Sequence, residues 1–306
     1  MKVELVVEAR GVRLDKFLAE KLRELSRSSI QQLIREGLVL VDGIPSKPSY
    51  RLKGGELVTV TIPPPPPLEP EPFPIPLDVV YEDRWIIVIN KPAGLVVHPA
   101  PGHQSDTLVN AILARWPELR GLEDRTRLGI VHRLDKDTSG LIVVARDERT
   151  KVELQRQFKE RLVRKVYLAL VMGKIYPMHG RIEAPIGRSL RNRKKMAVIS
   201  GGREAITEYR VLEYLSGYSY IEVYPLTGRT HQIRVHLSYK GHPIVGDRIY
   251  GRGPSIPGLE RPFLHAYSLT FKHPASGEEM TFKAPLPPEL EEILQKLRRF
   301  FNQSNA

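Results

Sequence analysis

A run of prolines in the first quarter of the chain sets the strongest constraint on its fold. Between Pro63 and Pro76, nine of fourteen residues are proline. Proline lacks the backbone N–H and fixes φ, so this stretch can neither continue a helix nor pair inside a sheet. It predicts an extended polyproline segment of roughly 40 Å. We therefore expect a linker over residues 63–76 between a small domain at 1–62 and a larger one at 77–306, with an SH3 or WW ligand as the alternative.

The segment before the prolines has the pattern of a small α/β module. Apolar residues recur twice at helical spacing and predict two short helices, with Leu14, Phe17, Leu18 and Leu22 in the first and Ile30, Leu33 and Ile34 in the second. Ser26 stands where the N-cap of the second helix is expected, and Asp42-Gly43 predicts a turn. An alternating apolar segment at 58–62 predicts a closing strand.

Two stretches of this module, RLDKFLAEK (13–21) and SRSSIQQLIREGLVLVDG (26–43), resemble an S4-like RNA-binding domain. The resemblance implies RNA contacts from the second helix and the loops around it. Arg27 and Arg35 lie on that helix, and we expect both to contact RNA. Arg27 is at the start of the helix, where free backbone N–H groups also favour phosphate. A helix pair that merely packs on the larger domain is the alternative.

The larger domain is predicted to be α+β, with a central mixed or antiparallel sheet. Seven strands are predicted at WIIVIN (85–90), GLIVVAR (140–146), RKVYLALVMG (164–173), EAITEYRVLEY (204–214), YSYIEVYP (218–225), AYSLTF (266–271) and EMTFKAP (279–285). Helices are predicted at 106–116, 148–160, 230–239 and 289–301. Strands outnumber helices and do not alternate with them regularly, which argues against a doubly wound parallel sheet.

The net charge of +12 favours a polyanionic partner, because Lys and Arg that neutralise phosphates release condensed counterions. An acidic membrane surface or an ion-paired thermophile surface also fits the charge alone. The stretch RSLRNRKK (188–195) concentrates basic residues between two strand patterns. We expect Arg191, Arg193 and Lys194 to contact RNA phosphates there, against the alternative of a solvated surface.

The segment GIVHRLDKDTSGLIVVAR (129–146) presents a charged loop between two apolar segments with the pattern of buried strands. It resembles the active-site motif of the RluA family of pseudouridine synthases. Four other blocks resemble that family in the same order: NKPAGLVVHP (90–99), RKVYLALVMG (164–173), LTGRTHQIRVHL (226–237) and GHPIVGDRIYG (241–251). The likeness is greatest to members that carry an S4-like domain and act on large-subunit ribosomal RNA. It implies the pseudouridine synthase fold and activity.

The resemblance implies three catalytic residues. Asp135 matches the family's catalytic aspartate, Tyr167 its active-site tyrosine and Arg234 the arginine that pairs with the aspartate. A nearby guanidinium would favour the charged carboxylate and orient it. In its strand, Tyr167 alternates with leucines and points to the opposite face, where it would stack on the uracil.

Further residues are candidates for RNA contacts around the loop. Arg133 matches the arginine that takes the flipped base's place in the RNA, and His132 is a second candidate for that task. If 230–239 is helical, Thr230, His231 and Arg234 share one face and would lie near the loop.

The implied reaction breaks the bond from C1′ to N1, turns the base while it stays bound, and rejoins it through C5. No electrons or external groups are exchanged, so we expect no cofactor. A carboxylate serves this reaction either as a nucleophile at the sugar or base or as a base toward a sugar proton, and the sequence leaves both routes open.

Three other functions fit parts of the sequence. Asp135 and Asp137 together suggest a glycosidase, but residues two apart do not readily flank a glycosidic bond from opposite sides. His231 and His236 with these carboxylates suggest a metal hydrolase, but the H-E-x-x-H pattern is absent, and we expect no metal site. A non-catalytic RNA-binding protein would explain the charge and the linker, but not the full set of matched active-site residues.

The chain has no cysteine, which excludes disulfides and thiolate sites and suits a reducing compartment. Its first residues, MKVELVVEARG, do not read as a signal peptide, and no apolar stretch approaches the roughly 20 residues that span a bilayer. We expect a cytoplasmic monomer whose partner is RNA, most of all large-subunit ribosomal RNA, with no membrane contact.

Replacing Arg191, Arg193 and Lys194 together by Glu is expected to weaken RNA binding and to flatten its salt dependence. The slope of log affinity against log salt should shrink by about one for each phosphate that the loop no longer neutralises. Filter binding at several salt concentrations measures both slopes. An unchanged slope in the triple variant would show that this loop does not contact phosphates.

Overall fold

The structure is a computed structural model of the chain. It describes residues 2–8, 10–22, 25–63, 70–99, 102–103, 105–124, 126–189, 192, 195–251 and 256–304. The chain divides into two units, Met1–Leu68 and Glu69–Ala306. The point of division lies within the segment 63–76 that the sequence predicts as a linker.

The small unit packs two helices on an antiparallel sheet. Its elements are β1 (Lys2–Val6), α1 (Leu14–Lys21), α2 (Arg27–Arg35), β2 (Val39–Val41), β3 (Ile44–Pro45) and β4 (Leu57–Thr61), with strand order β1-β4-β2-β3. The apolar stripes of both helices face the sheet, where Leu14, Leu18 and Ile30 are almost completely buried. The predicted cap is confirmed, because the Ser26 hydroxyl accepts a 3.1 Å hydrogen bond from the Ser29 amide. Strand β1 was not predicted.

A buried carboxylate ties the two helices of this unit together. Asp15 is completely buried and accepts hydrogen bonds from Arg13 at 3.0 Å, Arg27 at 2.8 Å and Gln31 at 2.6 Å. The Arg13 hydrogen bond, supported by those of Arg27 and Gln31, holds the pKa of Asp15 well below its usual value, although burial acts in the opposite direction. Arg27 therefore has an internal ion pair.

The larger unit is built on a nine-stranded sheet. Its strands are β5 (Asp78–Glu82), β6 (Ile86–Lys91), β7 (Ser139–Ala145), β8 (Arg164–Met172), β9 (His179–Glu183), β12 (Ile206–Leu215), β13 (Tyr218–Pro225), β14 (Leu264–Lys272) and β15 (Glu279–Lys283). The order is β5-β6-β7-β14-β8-β13-β12-β9, with β15 paired to β14. Strands β10 (Ile186–Arg188) and β11 (Met196–Val198) form a separate hairpin.

Four helices accompany this sheet among the described residues: α3 (Leu108–Arg115), α4 (Glu148–Lys159), α5 (Gln232–Tyr239) and α6 (Pro288–Ser304). The pairs are antiparallel apart from β7 with β14, which are parallel. The predicted α+β class with a mixed sheet is therefore confirmed, as are the seven predicted strands and the helices at 106–116, 148–160 and 289–301 to within a few residues. The missed strands are short or lie at the sheet edge; β9, for example, buries only Ile182.

The end of the proline-rich segment is attached to the larger unit. The Phe73 amide donates to the Asn110 carbonyl at 3.1 Å, and the Asn110 side-chain amide donates to the Glu71 carbonyl at 2.7 Å. Ile75 and Leu77 pack against the apolar cluster around α3. Residues 64–69 lie outside the described residues, so the predicted extended spacer stays a prediction there.

A glycine sets the start of β7, directly after the charged loop. Gly140 has a φ of +114° and pairs with Lys91 of β6 on one side and Ala266 of β14 on the other. A Cβ built on Gly140 would lie 2.2 Å from the Ala266 carbonyl oxygen. Because that atom is backbone of a central strand, no side-chain rotation can relieve the clash.

Gly140→Ala is therefore expected to lower the free energy of unfolding by about 3 kcal/mol or more, since an unfavourable φ and a backbone clash add. Gly277→Ala is the matched control, because Gly277 also has a positive φ of +73° but nothing within 4 Å of its added Cβ. The control should cost only about 1–2 kcal/mol. Urea unfolding of both variants measures the difference, and equal losses would rule out the clash.

Candidate active site

Asp135 lies in the loop that precedes β7, and this loop is fastened to the end of β6. The Lys136 carbonyl accepts hydrogen bonds from the Gly94 amide at 2.9 Å and from Lys91 Nζ at 3.1 Å. Lys91 is completely buried and also donates to the carbonyls of Pro92 and Leu95. Burial lowers the pKa of Lys91 to about 7, against the attraction of nearby carboxylates. The loop is thus held by the side chain of a buried lysine.

Arg234, in the first turn of α5, connects Asp135 to a second carboxylate. Its Nη1 donates to Asp135 Oδ2 at 3.2 Å. Its Nε and Nη2 donate to Asp247 Oδ2 and Oδ1 at 2.7 and 2.9 Å. The sequence predicts the Asp135–Arg234 pair. It does not predict that Asp247 binds Arg234, although Asp247 lies in the block 241–251.

Asp247 is the fully buried carboxylate of this network of charged side chains. Its side chain is fully buried, and its Oδ1 also accepts from the backbone amides of Ile249 and Tyr250 at 2.9 and 3.1 Å. Burial acts to raise the pKa of Asp247, but the hydrogen bonds and positive charge of Arg234, together with the backbone amides of Ile249 and Tyr250, outweigh it, so the pKa lies below its usual value. Burial likewise opposes the charge of Arg234, yet Asp247 and Asp135 together raise its pKa.

The predicted helix at 230–239 begins two residues later, at Gln232. The Gln232 side chain accepts hydrogen bonds from the Arg229 amide at 3.0 Å and the Thr227 hydroxyl at 2.7 Å, which fixes a turn in place of a helical start. Thr230 and His231 therefore do not share a helix face with Arg234, and that expectation is wrong. His231 has a left-handed φ of 56°, and its Nε2 lies 3.9 Å from Asp135 Oδ1.

Tyr167, on β8, lines the same cleft as Asp135 and Arg234. Burial raises the pKa of its phenol, with a further contribution from the charge of Asp135. Lys165, two residues earlier on the same face of the strand, also lines the cleft. Burial lowers the pKa of Lys165 to about 8. Sequence reasoning missed Lys165, because its burial arises only from tertiary packing.

The cleft has a volume of about 640 Å³ and is rich in positive charge. Besides Arg234, its lining includes Arg127, Arg133, Lys159, Arg161, Lys165 and Arg229. Among its lining residues, all of which the structure describes, Asp135 is the one acid. Such a cleft favours a polyanionic substrate whose reacting group is neutral and lies next to the Asp135 carboxylate.

The other predicted RNA contacts differ in their surroundings. Arg133 is exposed at the cleft and has no hydrogen bond or ion pair within the described part of the chain. His132 is stacked on Phe158 at 4.6 Å, and its Nε2 accepts from the Val143 amide, so its ring is fixed in the fold. Burial lowers the pKa of His132 to about 3.

The remaining predicted RNA contacts belong to the small unit and to the basic stretch 188–195. Arg35 is exposed on α2 of the small unit, where Arg27 is paired with Asp15. The basic stretch 188–195 connects β10 to β11. Arg191, Arg193 and Lys194 lie outside the described residues, so their RNA contacts stay a prediction.

The alternative functions gain no support from the described residues. Asp137 is not among the residues that line the cleft with Asp135. His236 is completely buried and hydrogen bonds to Thr207 and the Ala184 carbonyl, away from His231. Within the described ranges, no group of three or more His, Asp or Glu side chains is arranged to hold a metal. Likewise, none of the described helices is both long and apolar enough to cross a membrane.

Asp247→Asn is expected to lower the free energy of unfolding by about 3 kcal/mol or more, because Arg234 stays buried with one carboxylate fewer. Glu279→Gln is the matched control, since it makes the same chemical change in an exposed pair with Arg164 at 2.7 Å. That pair should contribute less than about 1 kcal/mol. Urea unfolding of both variants provides the measurement, and a small effect at Asp247 would contradict its proposed hold on Arg234.

Comparisons with known proteins identify the family of the chain. A model of the RNA pseudouridylate synthase family matches residues 85–239, and a model of the S4 domain matches residues 12–58. An RNA pseudouridine synthase of Synechocystis sp. is 47% identical over 294 residues, which cover 94% of this chain and 90% of the relative. A ribosomal large subunit pseudouridine synthase D of Neisseria meningitidis is 47% identical over 304 residues, covering 95% of this chain and 80% of the relative.

Among solved structures, human RNA pseudouridylate synthase domain containing 1 is similar in fold. Its TM-score is 0.55 at 31% identity, and the match covers 77% of this chain and 97% of the human one. The chain therefore belongs to the RNA pseudouridylate synthase family, and its reaction is the isomerisation of uridine to pseudouridine in RNA.

Proposed function

We propose that this protein isomerises uridine in large-subunit ribosomal RNA, with Asp135 as the catalytic carboxylate. The observation that carries the proposal is the Asp135–Arg234 pair, 3.2 Å apart, in a cation-lined cleft that also contains Tyr167. Relatives named as ribosomal large subunit pseudouridine synthases support the choice of RNA. Such a substrate suits a cytoplasmic enzyme, and we propose that it acts as a monomer.

In this proposal, four residues of the cleft have separate roles in the reaction. Asp135 reacts with the bound uridine, and Arg234 holds the carboxylate by one oxygen so that Oδ1 is left for the substrate. Tyr167 stacks on the uracil. The target base leaves its stack at a cost of a few kcal/mol, which Arg133 offsets by occupying the vacated position in the RNA.

RNA binding outside the reacting nucleotide relies on charge. Lys159 and Lys165 belong to the cleft lining and have no carboxylate partner within the described residues. Phosphates of the strand on either side of the target would neutralise them and release counterions. Arg35 of the small unit and the basic loop at 188–195 add further phosphate contacts in the same way.

Tritium release from RNA labelled at uridine C5 tests the proposal. The wild-type chain should release tritium from large-subunit ribosomal RNA but not from small-subunit ribosomal RNA or transfer RNA. Asp135→Asn should slow release by about 10⁴-fold or more while the RNA remains bound. Asp78→Asn, the same change at an exposed site on the edge strand β5, is the matched control and should behave as wild type.

The possible failures are separable. Release from transfer RNA alone would overturn the proposed target and leave Asp135 as the catalytic residue. Equal rates for wild type and Asp135→Asn would overturn the catalytic assignment.

A further inference from the structure

A chain of polar contacts lies behind His231, on the side away from Asp135. The Met196 amide donates to the Tyr250 hydroxyl oxygen at 3.0 Å. The same hydroxyl lies 2.8 Å from His231 Nδ1. On the other edge of the imidazole ring, Nε2 lies 3.9 Å from Asp135 Oδ1. None of these contacts is needed to pair Arg234 with Asp135.

The hydrogen bonds of this chain of contacts favour one tautomer of His231. A tyrosine hydroxyl has one hydrogen to donate, and the oxygen of Tyr250 already accepts from the Met196 amide. Among the described residues, His231 Nδ1 is the acceptor available for that hydrogen. A proton on Nδ1 would leave the Tyr250 hydrogen without an acceptor among the described residues, so this arrangement favours the neutral ring with its proton on Nε2.

The surroundings of the ring favour this neutral form. Burial lowers the pKa of His231, and the positive charges of Arg234 and Arg133 act in the same direction, while Asp135 and Asp247 oppose them. The Nε2–H donor faces the cleft, with 22% of the side chain exposed. At 3.9 Å, Asp135 Oδ1 is too far to accept a hydrogen bond from it.

The backbone of His231 supports a functional role. A left-handed φ of 56° at a residue with a side chain costs about 1–3 kcal/mol, and such conformations cluster at active sites and ligand-binding positions. The turn fixed by Gln232, Thr227 and Arg229 holds this conformation. The fold thus maintains an unfavourable conformation that directs an unused donor into the cleft next to Asp135.

We propose that His231 Nε2–H donates a hydrogen bond to a carbonyl oxygen of the bound uracil, and that Tyr250 is a positioning residue that fixes this donor. The inference rests on the proposed function. When the bond from C1′ to N1 breaks, the electron pair stays on the uracil and spreads onto its carbonyl oxygens, where a fixed donor stabilises it. When C1′ bonds to C5, that pair forms the new bond. The hydrogen on C5 then leaves as a proton, N1 takes up a proton, and the histidine keeps its own proton throughout.

Two substitutions of His231 separate its two ring nitrogens. The amide nitrogen of Gln reaches the position of Nε2, whereas that of Asn reaches only the position of Nδ1. His231→Gln should keep the single-turnover rate within about 10-fold of wild type, and His231→Asn should slow it by on the order of 100-fold. RNA affinity should be similar in both variants, because the donor acts on charge that develops during the reaction.

Backbone preference makes this comparison stringent. Asn tolerates the left-handed region better than Gln, so a purely structural role for His231 predicts the opposite order. Equal rates for the two variants, or a faster His231→Asn, would overturn the proposal. A fall in RNA affinity that accounts for the slower rate of His231→Asn would also overturn it.

The tautomer itself is measurable without substrate, which separates this inference from the proposed function. In the full-length chain with ¹⁵N-labelled histidine, the signals of His231 are assigned by their loss in His231→Asn. The expected spectrum has a protonated Nε2 and an unprotonated Nδ1 at neutral pH. A protonated Nδ1 in the wild-type chain would contradict the proposal, whatever the activity.

Tyr250→Phe removes the hydroxyl but keeps the ring, which contacts the Arg234 guanidinium at 5.2 Å. His231 should then populate both neutral tautomers, and the rate should fall by about 2- to 10-fold. Tyr239→Phe, at a side chain 61% exposed on α5, is the matched control and should change neither the tautomer nor the rate. An unmixed Nε2–H tautomer in Tyr250→Phe would show that Tyr250 does not fix it.

Discussion

The active-site geometry depends on one buried guanidinium shared by two carboxylates. Removing such a cation from water costs several kcal/mol, which is offset only when its N–H groups are well paired. Arg234 meets this requirement by giving Nε and Nη2 to Asp247 and Nη1 to Asp135. Asp247 fixes the plane of the guanidinium, so Asp135 receives its single donor from a set direction. Asp135 Oδ1 has no hydrogen bond within the described residues and is left for the substrate.

The sequence predicts those parts of the structure that local pattern determines. The seven strands predicted in the larger unit follow from apolar runs, and Asp135, Tyr167 and Arg234 follow from blocks that resemble a known family. The structure places all three on one cleft. The start of α5 does not follow from pattern, because helical periodicity continues back through Thr230 while the side chain of Gln232 holds a different turn. Competition from a side chain for backbone N–H groups is invisible to periodicity.

The residues that sequence reasoning missed are polar groups whose burial is purely tertiary. Lys91, Lys165 and Asp247 read as surface residues in a one-dimensional pattern, because charged side chains are rarely buried. In the fold, Lys91 binds three carbonyls, and Asp247 closes the network of Arg234. Tyr250 is a similar case, because its hydroxyl contacts His231 only in the folded chain, although the two residues are 19 positions apart in the sequence. Asp247 and Tyr250 owe their roles to partners, Arg234 and His231, that lie more than ten residues away in the sequence.

Binding and chemistry in this protein respond to different physical conditions. The exposed cations of the cleft bind phosphates, and their contribution to RNA affinity falls strongly as salt rises, because it arises from counterion release. The Asp135, Arg234 and His231 side chains are largely removed from water, where screening is weak and a fixed dipole has its greatest effect on charge that develops in the reaction. Raising the salt concentration should therefore affect binding and chemistry differently. It weakens the binding of RNA, whereas the reaction rate of the bound complex depends on groups that Asp247 and Tyr250 hold rigidly.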